Sequence, residues 1–556
     1  MKNMNQLPQA FRHPYEFNPE YSKSAAYFSM EFGIDQALKI YSGGLGFLAG
    51  SHMRSAYDTK QNLIGIGILW KYGYYDQYKK EDRKMGVLFQ EKIYHFLQDT
   101  NIKFTIKISG HDVWVKAFYL DPEVFGTAPL FLLSTDLPEN DYLAKSTTFR
   151  LYDSDPKAKI AQCMVLGLGG AKLLEELNYD PEVYHFNEAH ALSAVFNWLP
   201  KLGKEKLKEK LVFTTHTPEE AGNEKHNINE LFEMGFFNGL PLDRVRELTG
   251  IDNDEFNHTL VGLRLSRNAN GVSKLHGEVA RRMWEHHEGV CPITHITNAQ
   301  NKKYWADRRL EHARKDNDID HLIKRKKELK AYLFEEVADQ NAKLFDPDVL
   351  TIVWARRFAE YKRADLITRD LEKFDALMKN SKKPIQLIIA GKPYPMDYNA
   401  IRTYDALVEL SHNYKNMAVL AGYELHLSKK LKDGADIWLN NPRVTREASG
   451  TSGMTAAMNG AINLSTNDGW IREFDEMDPE AVYTLPIIDW RLPHFEQDKL
   501  DRENLYKILE NEVLPLYYDR PQEWYKKVLL SMNTVTPFFD SDRMVGEYYT
   551  KLYDLK

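Results

Sequence analysis

The loop Glu447-Ala448-Ser449-Gly450-Thr451-Ser452-Gly453-Met454 puts a carboxylate, three hydroxyls and two glycines into eight residues. It follows the apolar run Ala435-Asp-Ile-Trp-Leu and precedes Thr455-Ala-Ala-Met-Asn, which has helical character. Small side chains and free backbone N–H groups at a helix N-terminus make an anion site, through both orphan donors and dipole. An N-cap turn with glycine at positive φ draws on the same residue types, so the loop acquires its meaning from its neighbours. One neighbour is Ala355-Arg-Arg-Phe-Ala-Glu-Tyr-Lys-Arg, directly after a strand ending at Trp354. It gathers Arg356, Arg357, Lys362 and Arg363 at the carboxyl end of an apolar strand, where a phosphate clamp is favoured over a solvated face. The chemistry indicated is that of a sugar held beside phosphate.

Earlier in the chain, Tyr41-Ser-Gly-Gly-Leu-Gly-Phe-Leu-Ala-Gly runs into an expected helix through His52 and Ala56. A glycine turn opening a helix lets the backbone at Gly44 and Leu45 approach an anion closely. Gly167-Leu-Gly-Gly, in helical surroundings, reads as close packing. Two histidines follow successive apolar runs: His190 after Val183-Tyr-His-Phe and His216 after Leu211-Val-Phe. At strand ends on the ligand side of a sheet, sugar-hydroxyl recognition is the natural task for both.

These residues need elements to hold them. From Ala25 on, strand-length apolar runs alternate with amphipathic helical stretches (Ala26–Met30, Leu63–Leu69, Val183–Phe186, Leu211–Thr215), the pattern of βαβ units and a mostly parallel sheet. Residues 112–119 and 129–133 read instead as adjacent inserted strands. A charged helical segment, Arg308–Lys330, contains Lys324-Arg-Lys-Lys, read as a solvated face. A second series follows at Val349–Trp354, Ile385–Ala390, Met417–Leu420 and Ala435–Leu439. The expected fold class is α/β, with two doubly wound Rossmann-like domains facing a cleft. Residues 1–300 form the first and residues 301–556 the second, whose last helices pack back on the first. No internal repeat or low-complexity tract interrupts the pattern.

Composition narrows the function. At 556 residues the chain exceeds what one core organises. The net charge of −7 argues against general nucleic-acid binding, and no run approaches the ~20 apolar residues of a membrane span. Cys163 and Cys291 sit in contexts that indicate neither a disulfide framework nor zinc. The polar N-terminus lacks the apolar core of a signal peptide, so a cytoplasmic protein with no metal is expected.

In their order along the chain, Tyr41-Ser-Gly-Gly-Leu-Gly, Thr214-Thr-His-Thr-Pro, Ser273-Lys-Leu-His-Gly-Glu-Val, Arg356-Arg-Phe-Ala-Glu-Tyr-Lys-Arg and the loop at 447–454 resemble the α-glucan phosphorylases. That family includes the glycogen, starch and maltodextrin enzymes. The resemblance spans about Ala25 to Trp470 and fits a short form. It implies a two-domain retaining glycosyltransferase fold of the GT-B type and pyridoxal phosphate as cofactor, whose 5′-phosphate exchanges protons with inorganic phosphate. It also implies phosphorolysis of a terminal α-1,4-linked glucose to glucose 1-phosphate, and a homodimer. By resemblance Arg357, Lys362 and Gly44, with Leu45, hold the substrate phosphate. Arg356, Tyr423, Thr451 and Ser452 face a cofactor phosphate or other second anion. Glu447, Ser449, Gly450, His216 and Asn298 hold the glucosyl unit, and His190 stays a substrate-binding candidate from its strand-end position.

Two positions depart from the family. Where it places the lysine that binds the cofactor aldehyde, directly after the loop methionine, this chain has Thr455. A threonine cannot form an imine, so pyridoxal phosphate is expected to be non-covalent or absent. Lys429, Lys430 and Lys432 belong to another segment. Asn298 is followed by Ala299 where the family usually has glycine. Three readings follow: a phosphorylase acting on α-1,4-glucan or maltooligosaccharide, a cofactor-free transferase using ADP- or UDP-glucose, and a non-catalytic glucan-binding protein.

Overall fold

The computed structural model describes residues 6–554. The apolar runs that alternate with helical stretches become strands buried along their length, as at Ala25–Phe28, Leu63–Ile68, Leu350–Ala355 and Ile385–Ala390. Strands buried on both faces read as continuous Val/Ile/Leu runs, which is why the sequence marks them. The chain sorts into two units that interleave: Met1–Tyr74, Phe89–Thr297 and Ser541–Lys556 in the first, Tyr75–Leu88 and Asn298–Asp540 in the second. A single boundary at residue 300 would place residues 75–88 and 541–556 elsewhere.

Among the described residues, the first unit carries a nine-stranded sheet. Its spatial order is Ile293–His295, Asn268–Gly271, Leu211–Thr214, Val183–Asn187, Ala25–Phe28, Leu63–Ile68, Leu130–Ser134, His111–Leu120 and Leu97–Ile108. Pairing is parallel except at the last two additions, His111–Leu120 and Leu97–Ile108, which are antiparallel; the strands expected at residues 112–119 and 129–133 are indeed neighbours, but the second of them pairs in parallel with Leu63–Ile68 on its other side. The strand Ala25–Phe28 has Leu63–Ile68 on one side and Val183–Asn187 on the other, so strand order reverses there. Helix Ser541–Tyr548 packs on helix Gly44–Asp58, with Ser55 and Ser541 hydroxyls 2.6 Å apart and Tyr548 stacked on His52.

The second unit is built on six parallel strands in the order Met417–Leu420, Ile385–Ala390, Leu350–Ala355, Ile437–Asn440, Ile462–Thr466, Tyr483–Leu485. This is the 3-2-1-4-5-6 order of a doubly wound sheet, whose switch point lies between Leu350–Ala355 and Ile437–Asn440. Helix Ile319–Asn341 covers one face and corrects the reading of Lys324-Arg-Lys-Lys as a solvated face. Lys326 is 1% exposed and donates to the carbonyls of Asp433 and Asn459, while Arg325 pairs with Asp307 and Glu328. Four residues on, Lys330 is paired with Asp436 at 2.5 Å and donates to the Val349 carbonyl; Asp436 also accepts the Thr351 N–H.

Among the described residues no helix is long and apolar enough to cross a membrane, and no cluster of metal-ligating side chains occurs. Cys163 and Cys291 are both free and buried.

Two stability predictions follow from the buried charges and rings. Asp436→Asn strands the Lys330 ammonium in the core and should cost about 3–5 kcal/mol, read as a lower urea midpoint. Adding Lys330→Met should recover part of it; a double variant no more stable than the single one refutes the pairing. In the first unit His52, His185, His258 and His276 are buried. Burial pushes His52 and His258 down to about 3 and His276 to about 4, and holds His185 well below its usual value. Such rings take up a proton only on unfolding. Their stability is therefore intact above pH ~6.5 and is lost as pH falls toward the folded values, by up to ~1.4 kcal/mol per pH unit for each ring. Urea titrations from pH 7 to pH 5 should show that slope; a flat profile would contradict it.

Candidate functional site

In the second unit, both expected anion-binding segments leave the sheet at its switch point. Ala355 ends its strand and Arg356 and Arg357 follow; Asn440 ends the adjacent strand and leads to the 447–454 loop. Lys362 sits in a one-turn helix, Glu360–Lys362, and Arg363 then takes a left-handed φ of 53°. Arg363 points away from the loop. Its guanidinium is buried on Asp498 and Asp501 and on the carbonyls of Asn441 and Pro442, so the fourth cation of the cluster is an anchor for the segment. Arg443 shares Asp498 from the other side.

The remaining cations converge on one carboxylate. Glu447, whose side chain is 11% exposed, is ion-paired to Lys362 and lies 3.3 Å from Arg356 Nη1. Burial alone would raise its pKa, but Lys362, Arg356 and Arg357 together hold it below the usual carboxylate range. Arg356 is buried, reaches Ser452 Oγ at 3.4 Å and leaves its Nε without a partner. Arg357 is exposed. Three cations facing one carboxylate leave an excess of positive charge, the electrostatic condition for holding phosphoryl groups. Tyr423, also buried, stands beside Arg356, its phenol 3.4 Å from the Ala355 carbonyl and 3.2 Å from Ser428 Oγ.

The loop owes its shape to a second turn that the sequence reading passed over. Asp468 accepts the N–H of Glu447 and of Gly469, and the Trp470 N–H donates to the Ser449 carbonyl. Burial, with the adjacent Glu447 charge, pushes Asp468 up to about 7. Gly450 takes φ +93°, and a Cβ there would press on Glu447 Cγ at 3.3 Å, so glycine is required twice over. The helix starts at Ser452, inside the loop; Thr451 at its N-cap makes no side-chain capping bond, and Ser452 turns its hydroxyl to Arg356. Ser449 Oγ and Asn298 Oδ1 are buried with no protein partner, the hydroxyl able to donate or accept and the amide oxygen to accept. Thr455 is fully buried and donates to the Ser452 carbonyl.

The first unit has its own constellation at its switch point. Asn187 ends its strand and Glu188 follows at φ +67°, a region costly for any residue but glycine. The strained carboxylate accepts the N–H of His216 and the hydroxyl of Thr217 at 3.3 Å. Burial raises it to about 7. Asn187 Nδ2 donates to Ser29, which fixes its Oδ1 as the acceptor for His216 Nε2–H at 2.6 Å. Burial lowers His216 to about 3, so the ring is a neutral hydrogen-bonding group and not a cation. His190, half-buried, is likewise lowered by burial and packs near Tyr152.

The glycine turn is braced from within. Glu31 accepts from Ser42 N at 2.6 Å, Gly43 N at 3.3 Å and Tyr152 Oη at 2.7 Å. Two of the N–H groups that an anion might have used are therefore committed to a protein carboxylate. Gly46 is forced by this brace, since a Cβ would stand 2.7 Å from Glu31 Oε2. Gly44 opens the helix Gly44–Asp58, with Leu45 next, and a Cβ on Gly44 would meet nothing within 4 Å.

The structure thus places Arg356, Arg357, Lys362, Tyr423, Glu447 and the loop hydroxyls around one point of the second unit, with Asn298 in the same unit. Gly44, Leu45, His190 and His216 belong to the first. Sequence reasoning missed Glu31, Glu188 and Asp468. Asn467-Asp468-Gly469, a turn triplet directly after an apolar strand, was the one available signal.

A model of the carbohydrate phosphorylase family matches residues 279–486. Across 96% of its length the chain is 46% identical to an uncharacterized protein of Methanocaldococcus jannaschii, all of which is covered. It is 34% identical to the maltodextrin phosphorylase of Thermococcus litoralis, covering 96% of this chain and 71% of that protein. It is 30% identical to the glycogen phosphorylase of Aquifex aeolicus, covering 97% and 87% respectively. With the switch-point cations and the 447–454 loop in place, these likenesses assign the chain to the carbohydrate phosphorylase family.

Proposed function

We propose that this protein transfers glucosyl units between a terminal α-1,4-linked glucose and phosphate, in the manner of an α-glucan phosphorylase. The observation that carries the reading is the convergence of Arg356, Lys362 and the field of Arg357 on Glu447 at the second unit's switch point. In this reading Lys362 and Arg357 hold the substrate phosphate. Glu447, Ser449, Gly450 and Asn298 take sugar hydroxyls; the unpaired Ser449 Oγ and Asn298 Oδ1 gain partners thereby. In the first unit, His216 and His190 present neutral rings suited to hydroxyl recognition.

The side chains fit one end of pyridoxal phosphate in the manner of the family. Arg356, with its unpaired Nε, and the hydroxyls of Ser452, Thr451 and Tyr423 form a donor set for a phosphate monoester. When bound, that phosphate would supply a proton to, and recover it from, the substrate phosphate. At the other end Thr455 offers only a hydroxyl already engaged with Ser452. The protein's own part in the reaction is electrostatic. Phosphate oxygens held by Arg357 and Lys362 would lie against the anomeric carbon and balance its oxocarbenium charge.

Thr455 also favours a second reading, in which the two phosphoryl positions take the diphosphate of ADP- or UDP-glucose and no cofactor is needed. The two readings part in one assay. Maltooligosaccharide, phosphate and added pyridoxal phosphate should yield glucose 1-phosphate, and nucleotide-glucose should label no glucan. Transfer from a nucleotide donor without cofactor, in place of phosphorolysis, establishes the second reading. Within the first, Arg357→Ala should lower kcat/KM for phosphate by roughly 10²–10³. Because Arg357 is exposed, the thermal midpoint should stay put; an unchanged kcat/KM removes Arg357 from the site.

A further inference from the structure

The 447–454 loop is held in two halves by two different sets of groups. Its far half is fixed from the side of the cations and of the strand Ile462–Thr466: Ser452 turns its hydroxyl to Arg356, and Asn463 Nδ2 donates to the Gly453 carbonyl at 3.0 Å. Its near half rests on Asp468, two residues beyond that strand and 2% exposed. Asp468 Oδ2 accepts the Glu447 N–H and Oδ1 accepts the Gly469 N–H, both at 3.0 Å. The Thr445 N–H faces the same carboxylate. One residue on, the Trp470 N–H donates to the Ser449 carbonyl at 3.1 Å. The backbone bends to meet these groups: Thr445, Gly450 and Gly469 take φ of 75°, 93° and 61°. At Thr445 that conformation is costly and persists only because its neighbours impose it. Gly469 is closed in as well, since a Cβ there would stand 2.5 Å from the Ser449 carbonyl oxygen and 3.0 Å from that of Glu447.

Resting on the phosphorylase reading, we propose that Asp468 is a positioning residue for the sugar alone: it sets the backbone from Glu447 to Gly450 against the glucosyl unit and leaves the phosphate-holding cations to their own anchors. The division follows from what each bond reaches. Asp468 holds backbone at Glu447 and Gly469, and the Gly469-Trp470 turn holds the Ser449 carbonyl. The Glu447 side chain is kept by Lys362 and Arg356, and the Lys362 segment by Arg363 on Asp498 and Asp501. Loss of the Asp468 carboxylate therefore shifts Ser449 and Gly450 while the cation cluster keeps its ties. Both carboxylate oxygens are needed as acceptors. An amide in their place has one acceptor and one donor group. With its oxygen on the Gly469 N–H, its NH2 meets the Glu447 N–H donor to donor, and a buried N–H deprived of its acceptor costs more than the bond contributed.

The full chain, Asp468→Asn and Gly469→Ala are each titrated with maltopentaose and, separately, with inorganic phosphate, and KM for each ligand is measured in phosphorolysis with pyridoxal phosphate added. Gly469→Ala presses on the Ser449 and Glu447 carbonyls and leaves the Asp468 side chain in place, so the two variants should behave alike. Maltopentaose binding should weaken, and its KM rise, by roughly 10–100-fold. Phosphate binding and the KM for phosphate should not move. Loss of both ligands together, or of neither, overturns the positioning role. Where Asp468→Asn shows no thermal transition, the same split in Gly469→Ala decides. The split in binding with no glucose 1-phosphate formed keeps the role and removes the phosphorylase reading. A wild-type chain that binds no maltopentaose overturns both.

Discussion

The chemistry of the second unit depends on one buried carboxylate. Glu447 lies where the strand order of a parallel sheet reverses, and two loops must diverge there whatever their sequence. One loop brings Arg356, Arg357 and Lys362, and the other brings Glu447 itself. Without the carboxylate, three cations in a half-buried position would repel one another; without the cations, the carboxylate would be driven to take up a proton. Each makes the other's ionised form tolerable, and the surplus positive charge is what a phosphoryl ligand neutralises. The supporting parts serve this balance. Arg363 and Arg443, tied to Asp498 and Asp501, fix the chain behind Lys362, and Asp468 holds the Glu447 backbone from beneath.

The first unit reaches a comparable end by different means. Its strand ends present neutral hydrogen-bonding groups, since burial keeps His216 and His190 uncharged and raises Glu188. A neutral hydrogen-bonding group gains from direction more than from charge. The strained Glu188 backbone supplies direction, because its carboxylate can reach the His216 N–H from that conformation. Glu31 likewise turns a flexible glycine run into a fixed turn. Strain and buried carboxylates are thus concentrated at the ends of the central strands of this sheet.

Much of this was legible in the sequence, and the rest was hidden for physical reasons. The buried parallel strands appear because both faces are covered and the apolar runs are unbroken. The cation cluster and the 447–454 loop appear because their residue types are costly at strand ends unless used. Glu31, Glu188 and Asp468 stayed hidden because a lone carboxylate in a sequence does not announce that it is buried; only the fold supplies the N–H groups that make burial tolerable. Lys326 misled for the converse reason. In a run of four basic residues it looks solvated, yet helical geometry turns one of the four inward, onto the carbonyls of Asp433 and Asn459.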